Sequence, residues 1–202
     1  FYAIPESASL TNVVMMGMGE PLDNTDEVLK ALRLLTDPKL MAWSPRRITL
    51  STVGVKGNLK RFLDESECHL AISLHAPTPQ LRSELMPAER IYSITEMVEV
   101  LRQYDFTGQR RLSFEYILFD GVNDTLADAR KLVRLLDGLQ CRINLIRFHA
   151  IPGVELVSSN EEKMIIFRNY LNSKGIIATI RASRGEDIMA ACGMLAGKGE
   201  KK

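Results

Sequence analysis

The feature that most constrains this chain is an alternation of short apolar runs with longer amphipathic segments. Six runs rich in Val, Ile and Leu are each followed by a polar or glycine-containing turn and then by a segment of helical periodicity. The runs predict β-strands at residues 12–16, 47–51, 70–74, 112–117, 143–148 and 176–180. The other segments predict helices at 26–35, 56–63, 94–104, 126–136, 161–172 and 187–195. This order predicts an α/β fold with a parallel sheet.

The polar residues at the ends of the apolar runs distinguish two parallel-sheet folds. A doubly wound sheet gathers only the groups near its switch point, whereas a (β/α) barrel brings the carboxyl ends of all its strands to one mouth. Nearly every run here ends in a polar group, namely Glu20, Ser51, His75, Glu115, Asn144 and Arg181. A barrel is therefore the better interpretation. Because eight units take about 250 residues, these 202 residues are expected to form an incomplete barrel of about six parallel strands, with the first unit missing.

Composition and charge limit the function. The chain is expected to form a single domain over residues 1–202, and its net charge of +1 excludes the strong overall field of a dedicated nucleic-acid binder. Any RNA contact would come from local basic clusters such as 46–47 and 110–111, which are equally typical of a solvated surface. No apolar run is long enough to span a membrane. The three separated cysteines fit neither a disulfide framework nor a CxxC metal site, which indicates a reducing cytoplasm.

One loop has the composition of a ligand-binding turn. Met16-Gly-Met-Gly-Glu20-Pro21 follows the first predicted strand. Its glycines let the backbone approach a ligand, and Glu20 offers a carboxylate to an amine or hydroxyl. The loop is not a dinucleotide-binding fingerprint, which requires GxGxxG at the start of a helix. A plain tight turn is the alternative explanation.

Other residues at the strand ends also have structural alternatives. Ser51 and Ser73 offer hydroxyls to a ribose or a carboxylate, and His75 is suited to acid–base work near neutral pH. Single residues of these types more often only cap a strand. The positions of His69, His75 and His149 match no known ligand spacing. No metal site is therefore predicted within the chain.

Glu115 is the one acidic residue inside a predicted strand. Period-2 alternation places it on the same face as Ser113 and Ile117. A carboxylate that faces a barrel interior needs a partner. Glu115 is therefore either a general base or an anchor for Arg111 or Arg147.

Cys192 lies among small residues near the end of the chain. Gly185, Gly193 and Gly197 keep the surrounding backbone pliable. Residues 183–202 are therefore expected to form a mobile tail that carries an accessible thiol into a pocket. The alternative is a small buried residue on a terminal helix, because free cysteine is among the most buried residue types.

Six stretches, taken in order, resemble one enzyme family. They are MGMGEPLDN (16–24), RRITLSTVG (46–54), AISLHAP (71–77), DGVND (120–124), CRINLI (141–146) and RGEDIMAACG (184–193). The family is that of the radical S-adenosylmethionine RNA methyltransferases, which methylate C2 of an adenine in 23S ribosomal RNA and in certain tRNAs. The resemblance extends from about residue 12 to residue 197.

The resemblance implies a site and its chemistry. The implied S-adenosylmethionine contacts are Gly19, Glu20, Ser51, Ser73, Leu74, His75 and, where the family usually has asparagine, His149. Cys192 would take a methyl group from one S-adenosylmethionine, and a radical made from a second would remove hydrogen from that methyl. The resulting methylene radical would add to the adenine ring. In this family a [4Fe-4S] cluster supplies the initiating electron, and a second cysteine helps to resolve the protein–RNA adduct.

Part of the family pattern is absent. The chain contains no CxxxCxxC motif and no resolving cysteine. In the family both precede the GMGEP strand, so the chain that starts at Phe1 is expected to be cut from a longer protein and to be inactive alone. The expected partners are 23S rRNA and tRNA, with no membrane, for a cytoplasmic monomer.

Three alternative functions remain open at this point. Methylation at C8 of the same adenine, as in a related resistance-conferring group, is not distinguished by any residue. A (β/α)-barrel lyase would use Glu115 and His75 on a small phosphorylated substrate. A non-catalytic RNA-binding module would use the arginine clusters.

Overall fold

The computed structural model describes residues 10–17, 19–150 and 153–181. The strands within these residues form one parallel sheet. Its six strands are β1 (Val13–Met15), β2 (Ile48–Thr52), β3 (His69–Ser73), β4 (Leu112–Leu118), β5 (Cys141–Arg147) and β6 (Ile177–Ile180). Each strand pairs in parallel with the next strand in sequence, so their order in the sheet is β1-β2-β3-β4-β5-β6. A doubly wound sheet would instead reverse its order at a switch point.

The fold prediction is confirmed. Within the described part of the chain, β1 pairs only with β2 and β6 pairs only with β5, so the two edge strands do not close the sheet. Six parallel strands in sequential order, joined by helices, form an incomplete (β/α) barrel. The observed strands begin and end within two residues of the predicted ones.

In the described part of the chain, six α-helices accompany the strands. They are α1 (Thr25–Thr36), α2 (Asn58–Glu65), α3 (Pro79–Leu85), α4 (Ile94–Leu101), α5 (Leu126–Leu135) and α6 (Glu161–Ser173). Five of them coincide with predicted helices, although α4 ends three residues before its predicted end at 104. The helix predicted at 187–195 lies outside the described residues. None of the helices described is long and apolar enough to cross a membrane.

Helix α3 was not predicted, and it begins directly after the stretch Ala76-Pro77-Thr78. Pro79 occupies the first turn of the helix, where a missing N–H group removes no helical hydrogen bond. Thr78 precedes it as the cap, and its Oγ1 accepts a hydrogen bond from Leu81 N at 3.4 Å. The proline and the cap together start the helix.

The two faces of the sheet differ in composition. One face packs into a hydrophobic core, to which its central strands contribute Leu50, Ile72, Phe114 and Leu145, all fully buried. Helices α1, α2, α4, α5 and α6 contribute to the same core. Residues one position away along the strands are polar and only partly buried, namely Ser51, Ser73, Ser113 and Asn144. Because neighbouring residues of a strand point to opposite faces, the core stabilises one face and the other lines the barrel interior.

Candidate cofactor site at the carboxyl ends of the strands

A cavity of about 250 Å³ lies at the carboxyl ends of the strands. Its wall is formed by the loop after β1, the ends of β2 and β3, side chains of β4 and β5, and Arg181 after β6. Five residues that the family resemblance implicates line this cavity, namely Gly19, Glu20, Ser51, Ser73 and His75. The structure therefore brings together groups that lie far apart in sequence.

Glu20 is fixed at the cavity wall by three hydrogen-bond donors. Its Oε1 accepts from Leu22 N at 2.9 Å and from Thr52 Oγ1 at 2.6 Å. Its Oε2 accepts from Val53 N at 2.8 Å. A carboxylate offers about four acceptor positions, so one position on Oε2 remains for a ligand. The geometry suits an ammonium group.

Two glycines shape the loop that precedes Glu20. Gly17 has φ 108° and Gly19 has φ 69°, a region that L side chains rarely adopt. A Cβ at Gly19 would meet no atom of the described, non-neighbouring residues within 4 Å. Glycine is therefore required at this position by the backbone conformation, and the space beside it stays open to a ligand.

The hydroxyls of Ser51 and Ser73 are available to a ligand. Both residues line the cavity and are partly buried. Neither side chain has a hydrogen-bond partner among the residues described. Each hydroxyl can both donate and accept, so the pair can bind the hydroxyls of a sugar or a carboxylate.

His75 is held in an unusual conformation as a neutral donor. Its φ of 54° is rare for a residue other than glycine, and Asn123 Nδ2 donates to its carbonyl oxygen at 2.8 Å. Its Nδ1 accepts a hydrogen bond from Ile117 N at 3.1 Å. Burial, and to a lesser extent the charge of Arg82, lowers the pKa of His75 from 6.5 to about 4. The imidazole is therefore neutral near pH 7, with its hydrogen on Nε2, which does not suit the acid–base role considered for a lyase.

Glu115 belongs to a chain of polar groups in the barrel interior. Its Oε1 accepts from Asn144 Nδ2 at 2.7 Å, and Asn144 Oδ1 accepts from Thr179 Oγ1 at 3.1 Å. Its Oε2 lies 3.3 Å from Arg181 Nη1. Glu115 is thus an anchor, but its partner is Arg181 and not Arg111 or Arg147. The pairing joins β4 to the end of β6, and local spacing gives no signal for it.

A buried arginine, which the sequence analysis missed, supports the cavity from behind. Arg82 is 0% exposed, and its Nη2 donates to the carbonyl oxygens of Val53 and Ser73, both at 2.9 Å. Its Nε donates to Leu74 O at 3.2 Å, and its Nη1 pairs with the buried carboxylate of Glu89. Arg82 therefore ties the carboxyl ends of β2 and β3 to α3.

Three of the implicated residues do not line the cavity in the described structure. The side chain of Leu74 is fully buried in the hydrophobic core. His149 is partly buried in the segment that follows β5 and is not among the described residues of the cavity wall. Cys192 and the predicted tail at 183–202 lie outside the described residues. Within the part of the chain that is described, no three His, Cys, Asp or Glu side chains converge as a metal site would require.

Comparison with known proteins gives a consistent result. The model of the radical SAM superfamily matches residues 3–136. The chain is 67% identical over 193 residues to the "Probable dual-specificity RNA methyltransferase RlmN" of Bacteroides fragilis, a match that covers 96% of this chain and 56% of that protein. It is 46% identical over 198 residues to the "Dual-specificity RNA methyltransferase RlmN" of Syntrophus aciditrophicus, which covers 98% and 57%.

A solved structure supports the same relationship. The crystal structure of a radical SAM methyltransferase from Sphaerobacter thermophilus is 44% identical in sequence and has a TM-score of 0.87, with 93% of this chain and 55% of that chain covered.

The fold and the cavity define an open (β/α) barrel with a ligand site at the carboxyl ends of its strands. The family match is more specific, since it includes more than half of the chain: the chain belongs to the radical SAM superfamily. It spans 56% of the length of the Bacteroides fragilis relative.

Proposed function

We propose that this chain is the barrel portion of a radical S-adenosylmethionine methyltransferase that adds a methyl group to C2 of an adenine in 23S rRNA and tRNA. The observation that carries the proposal is the 67% identity over 193 residues to a protein named as an RNA methyltransferase of this kind. The cavity supports it, since five residues at family cofactor positions line one wall.

The cavity wall has the donors and acceptors that S-adenosylmethionine requires. The free position on Glu20 Oε2 suits the amino group, and the hydroxyls of Ser51 and Ser73 suit polar groups of the ribose or the carboxylate. His75 adds a neutral Nε2–H donor. When bound there, S-adenosylmethionine supplies the transferred methyl group and the source of the radical.

We propose Cys192 as the residue that carries the methyl group. The other two cysteines are poor nucleophiles, because the thiolate is the reactive form. Burial raises the pKa of Cys68, and it raises the pKa of Cys141 to about 12. Cys192 is thus the remaining cysteine for this role.

The residues of this chain do not fit an iron–sulfur cluster. Such clusters are held by several cysteine thiolates, whereas the cysteines of this chain occupy only positions 68, 141 and 192. We expect anaerobic reconstitution of the 202-residue chain with iron and sulfide to yield no stoichiometric four-iron cluster. Absorbance and iron counting measure this outcome, and a full cluster would contradict it.

The proposed substrates are 23S rRNA and tRNA, and the proposed compartment is the cytoplasm. A bacterial relative carries a name that specifies RNA methylation with dual specificity. The free Cys68 and Cys141 agree with a reducing compartment.

A chimera tests the proposal with the missing segments supplied. The 193 aligned residues of the Bacteroides fragilis relative are replaced by those of this chain, and the chimera is reconstituted anaerobically and incubated with 23S rRNA and tRNA. Mass spectrometry of the digested nucleosides is expected to detect 2-methyladenosine. Detection of 8-methyladenosine instead would move the specificity to the alternative carbon.

Two cysteine variants of the chimera identify the methyl carrier. Cys192→Ala is expected to abolish methylation, whereas Cys141→Ala, which removes a partly buried thiol, is expected to retain it. Full activity of Cys192→Ala would contradict the carrier role. An inactive chimera beside an active intact relative would contradict the proposed function itself.

A further inference from the structure

A second cavity, of about 420 Å³, lies at the opposite end of the sheet, where β3 to β6 begin. We call it the arginine cavity, because its wall includes Arg46, Arg110, Arg111 and Arg142. No Asp or Glu is present among the described residues that line it. None of the four arginines lines the cavity of about 250 Å³ at the carboxyl ends of the strands, where the cofactor site is proposed.

Among the residues that the structure describes, three of the guanidinium groups have no carboxylate partner. Arg46 Nε donates to Gln109 Oε1, a neutral acceptor, at 2.9 Å. The side chains of Arg111 and Arg142 have no hydrogen bond or ion pair with any residue that the structure describes. The positive charges at this end are therefore not neutralised by ion pairs within the wall.

Arg110 is a buried cation whose donors are incompletely used. The residue is 6% exposed, and its Nη2 donates to Leu63 O at 2.8 Å. Its Nη2 lies 3.9 Å from Glu67 Oε1, the carboxylate of an exposed side chain. Within the described residues its buried Nε has no hydrogen-bond partner. A buried charge with an unsatisfied donor is costly, and a nearby anion would offset that cost.

Apart from Glu67, no acidic side chain of the described residues forms an ion pair with these four arginines. His69 Nδ1 accepts a hydrogen bond from Arg111 N at 2.9 Å. Burial, followed by the charges of Arg111, Arg46 and Arg142, lowers the pKa of His69. The carboxylate of Asp105, in the loop before β4, already accepts both the N–H and the Oγ1–H groups of Thr107.

We propose that the arginine cavity binds the phosphoryl groups of an anionic ligand, through the guanidinium groups of Arg46, Arg111 and Arg142 with Arg110 in the wall. The planar guanidinium fork matches phosphate geometry and donates two parallel hydrogen bonds. The ligand is either the backbone of an RNA strand or a small free phosphate. Arg111 and Arg142 also line a third cavity, of about 260 Å³, together with Glu115 and Arg181. The proposed phosphoryl site does not depend on the proposed cofactor site.

Isothermal titration calorimetry of the 202-residue chain with pyrophosphate tests the proposal. The double variant Arg111→Gln/Arg142→Gln removes two exposed side chains and leaves the Arg111 N–H bond to His69 in place. It is expected to weaken pyrophosphate binding by about a hundredfold, since it removes two charge-assisted contacts. The matched control Arg134→Gln changes an exposed arginine of α5 and is expected to bind pyrophosphate like the wild type.

A single-stranded RNA 12-mer distinguishes the two sources of phosphate. If the source is RNA, the 12-mer competes with pyrophosphate. In that case the plot of log K for RNA binding against log salt concentration becomes shallower in the double variant, with a slope smaller in magnitude by about 1.4. If the source is a free phosphate, the double variant loses pyrophosphate binding and leaves RNA binding unchanged. The proposal is overturned if the wild type binds neither probe, or if the double variant binds both as tightly as Arg134→Gln.

Discussion

The two ends of the sheet present opposite electrostatics to solvent. The carboxyl end combines two carboxylates, Glu20 and Glu115, with a neutral imidazole and two free serine hydroxyls. The amino end presents four arginines in a cavity wall that has no Asp or Glu among its described residues. The first set of groups suits a ligand with an ammonium group, and the second suits a polyanion. A net charge of +1 therefore conceals a strong local separation of charge.

Strand register explains how the two ends remain distinct. Along β4, Arg111 just before the strand and Glu115 within it lie on the same face, as do Arg142 and Asn144 along β5. Because a strand rises about 3.3 Å per residue, the change from arginine to carboxylate takes place over roughly 13 Å. The ion pair between Glu115 and Arg181 reduces the negative charge of the cavity at the carboxyl ends of the strands, but its carboxylate oxygens remain hydrogen-bond acceptors.

The largest expected difference between the two ends of the sheet is in how much the substitution of an arginine lowers the free energy of unfolding. Arg82→Met leaves the Glu89 carboxylate buried without its partner, and we expect it to lower the free energy of unfolding by about 3–5 kcal/mol. The double variant Arg111→Gln/Arg142→Gln removes unpaired exposed cations and should change it by less than about 1 kcal/mol. Urea unfolding followed by circular dichroism measures both values. Equal losses for the two variants would remove the distinction between a structural and a ligand-binding arginine.

Substitution of Glu20 is expected to separate the two cavities by their ligands. Glu20→Gln removes the charge opposite the proposed ammonium group and should weaken S-adenosylmethionine binding by about ten- to a hundredfold. Pyrophosphate binding should not change, because Glu20 lies at the other end of the strands. Calorimetry with both ligands provides the measurement, and Glu27→Gln, on the exposed surface of α1, is the matched control. Unaltered S-adenosylmethionine affinity in Glu20→Gln would argue against the carboxylate's role.

The neutral state of His75 predicts a specific pH dependence of stability. Its pKa is about 4 in the folded chain and about 6.5 in an unfolded one, so between these values the unfolded chain binds more protons. The stability that depends on neutral His75 is therefore fully present above pH 6.5 and decreases as the pH falls towards 4. At pH 5 the free energy of unfolding is expected to be lower by about 2 kcal/mol. Urea unfolding at several pH values measures it.

A matched pair of asparagine variants isolates this effect. His75→Asn keeps a residue type that tolerates positive φ and should show a smaller loss of stability between pH 7 and pH 5. Gln80→Asn, on the exposed surface of α3, keeps His75 and should lose as much stability between these pH values as the wild type. Parallel pH profiles for the two variants would show that His75 is not the group responsible.

The sequence predicts what is local or periodic. Alternating apolar runs were enough for the strands and for their sequential order, and the glycines before Glu20 indicated the open loop. Groups paired across distant elements were not predictable. Arg82 bonds to the ends of two strands and to Glu89, and Glu115 pairs with a residue 66 positions away. The family resemblance implicated Leu74 together with its neighbours Ser73 and His75, and alternation turns the Leu74 side chain into the core.

The arginine cavity is a second example of a site that could not be predicted from the sequence. Its four arginines lie in three separate segments of the sequence. The clusters at 46–47 and 110–111 were each equally typical of a solvated surface, and Arg142 was not singled out. Only the parallel sheet, which brings the starts of β2, β4 and β5 to one end, unites them.

The central claim is that the two ends of the sheet bind different ligands, and an amide-resolved NMR titration of the 202-residue chain tests it most directly. S-adenosylmethionine is expected to shift the amide signals of Gly17, Gly19, Ser51 and Ser73, and pyrophosphate those of Arg110, Arg111 and Arg142. Each ligand should leave the other set unchanged. Shifts from S-adenosylmethionine confined to the arginine set, or the same set shifted by both ligands, would contradict the claim.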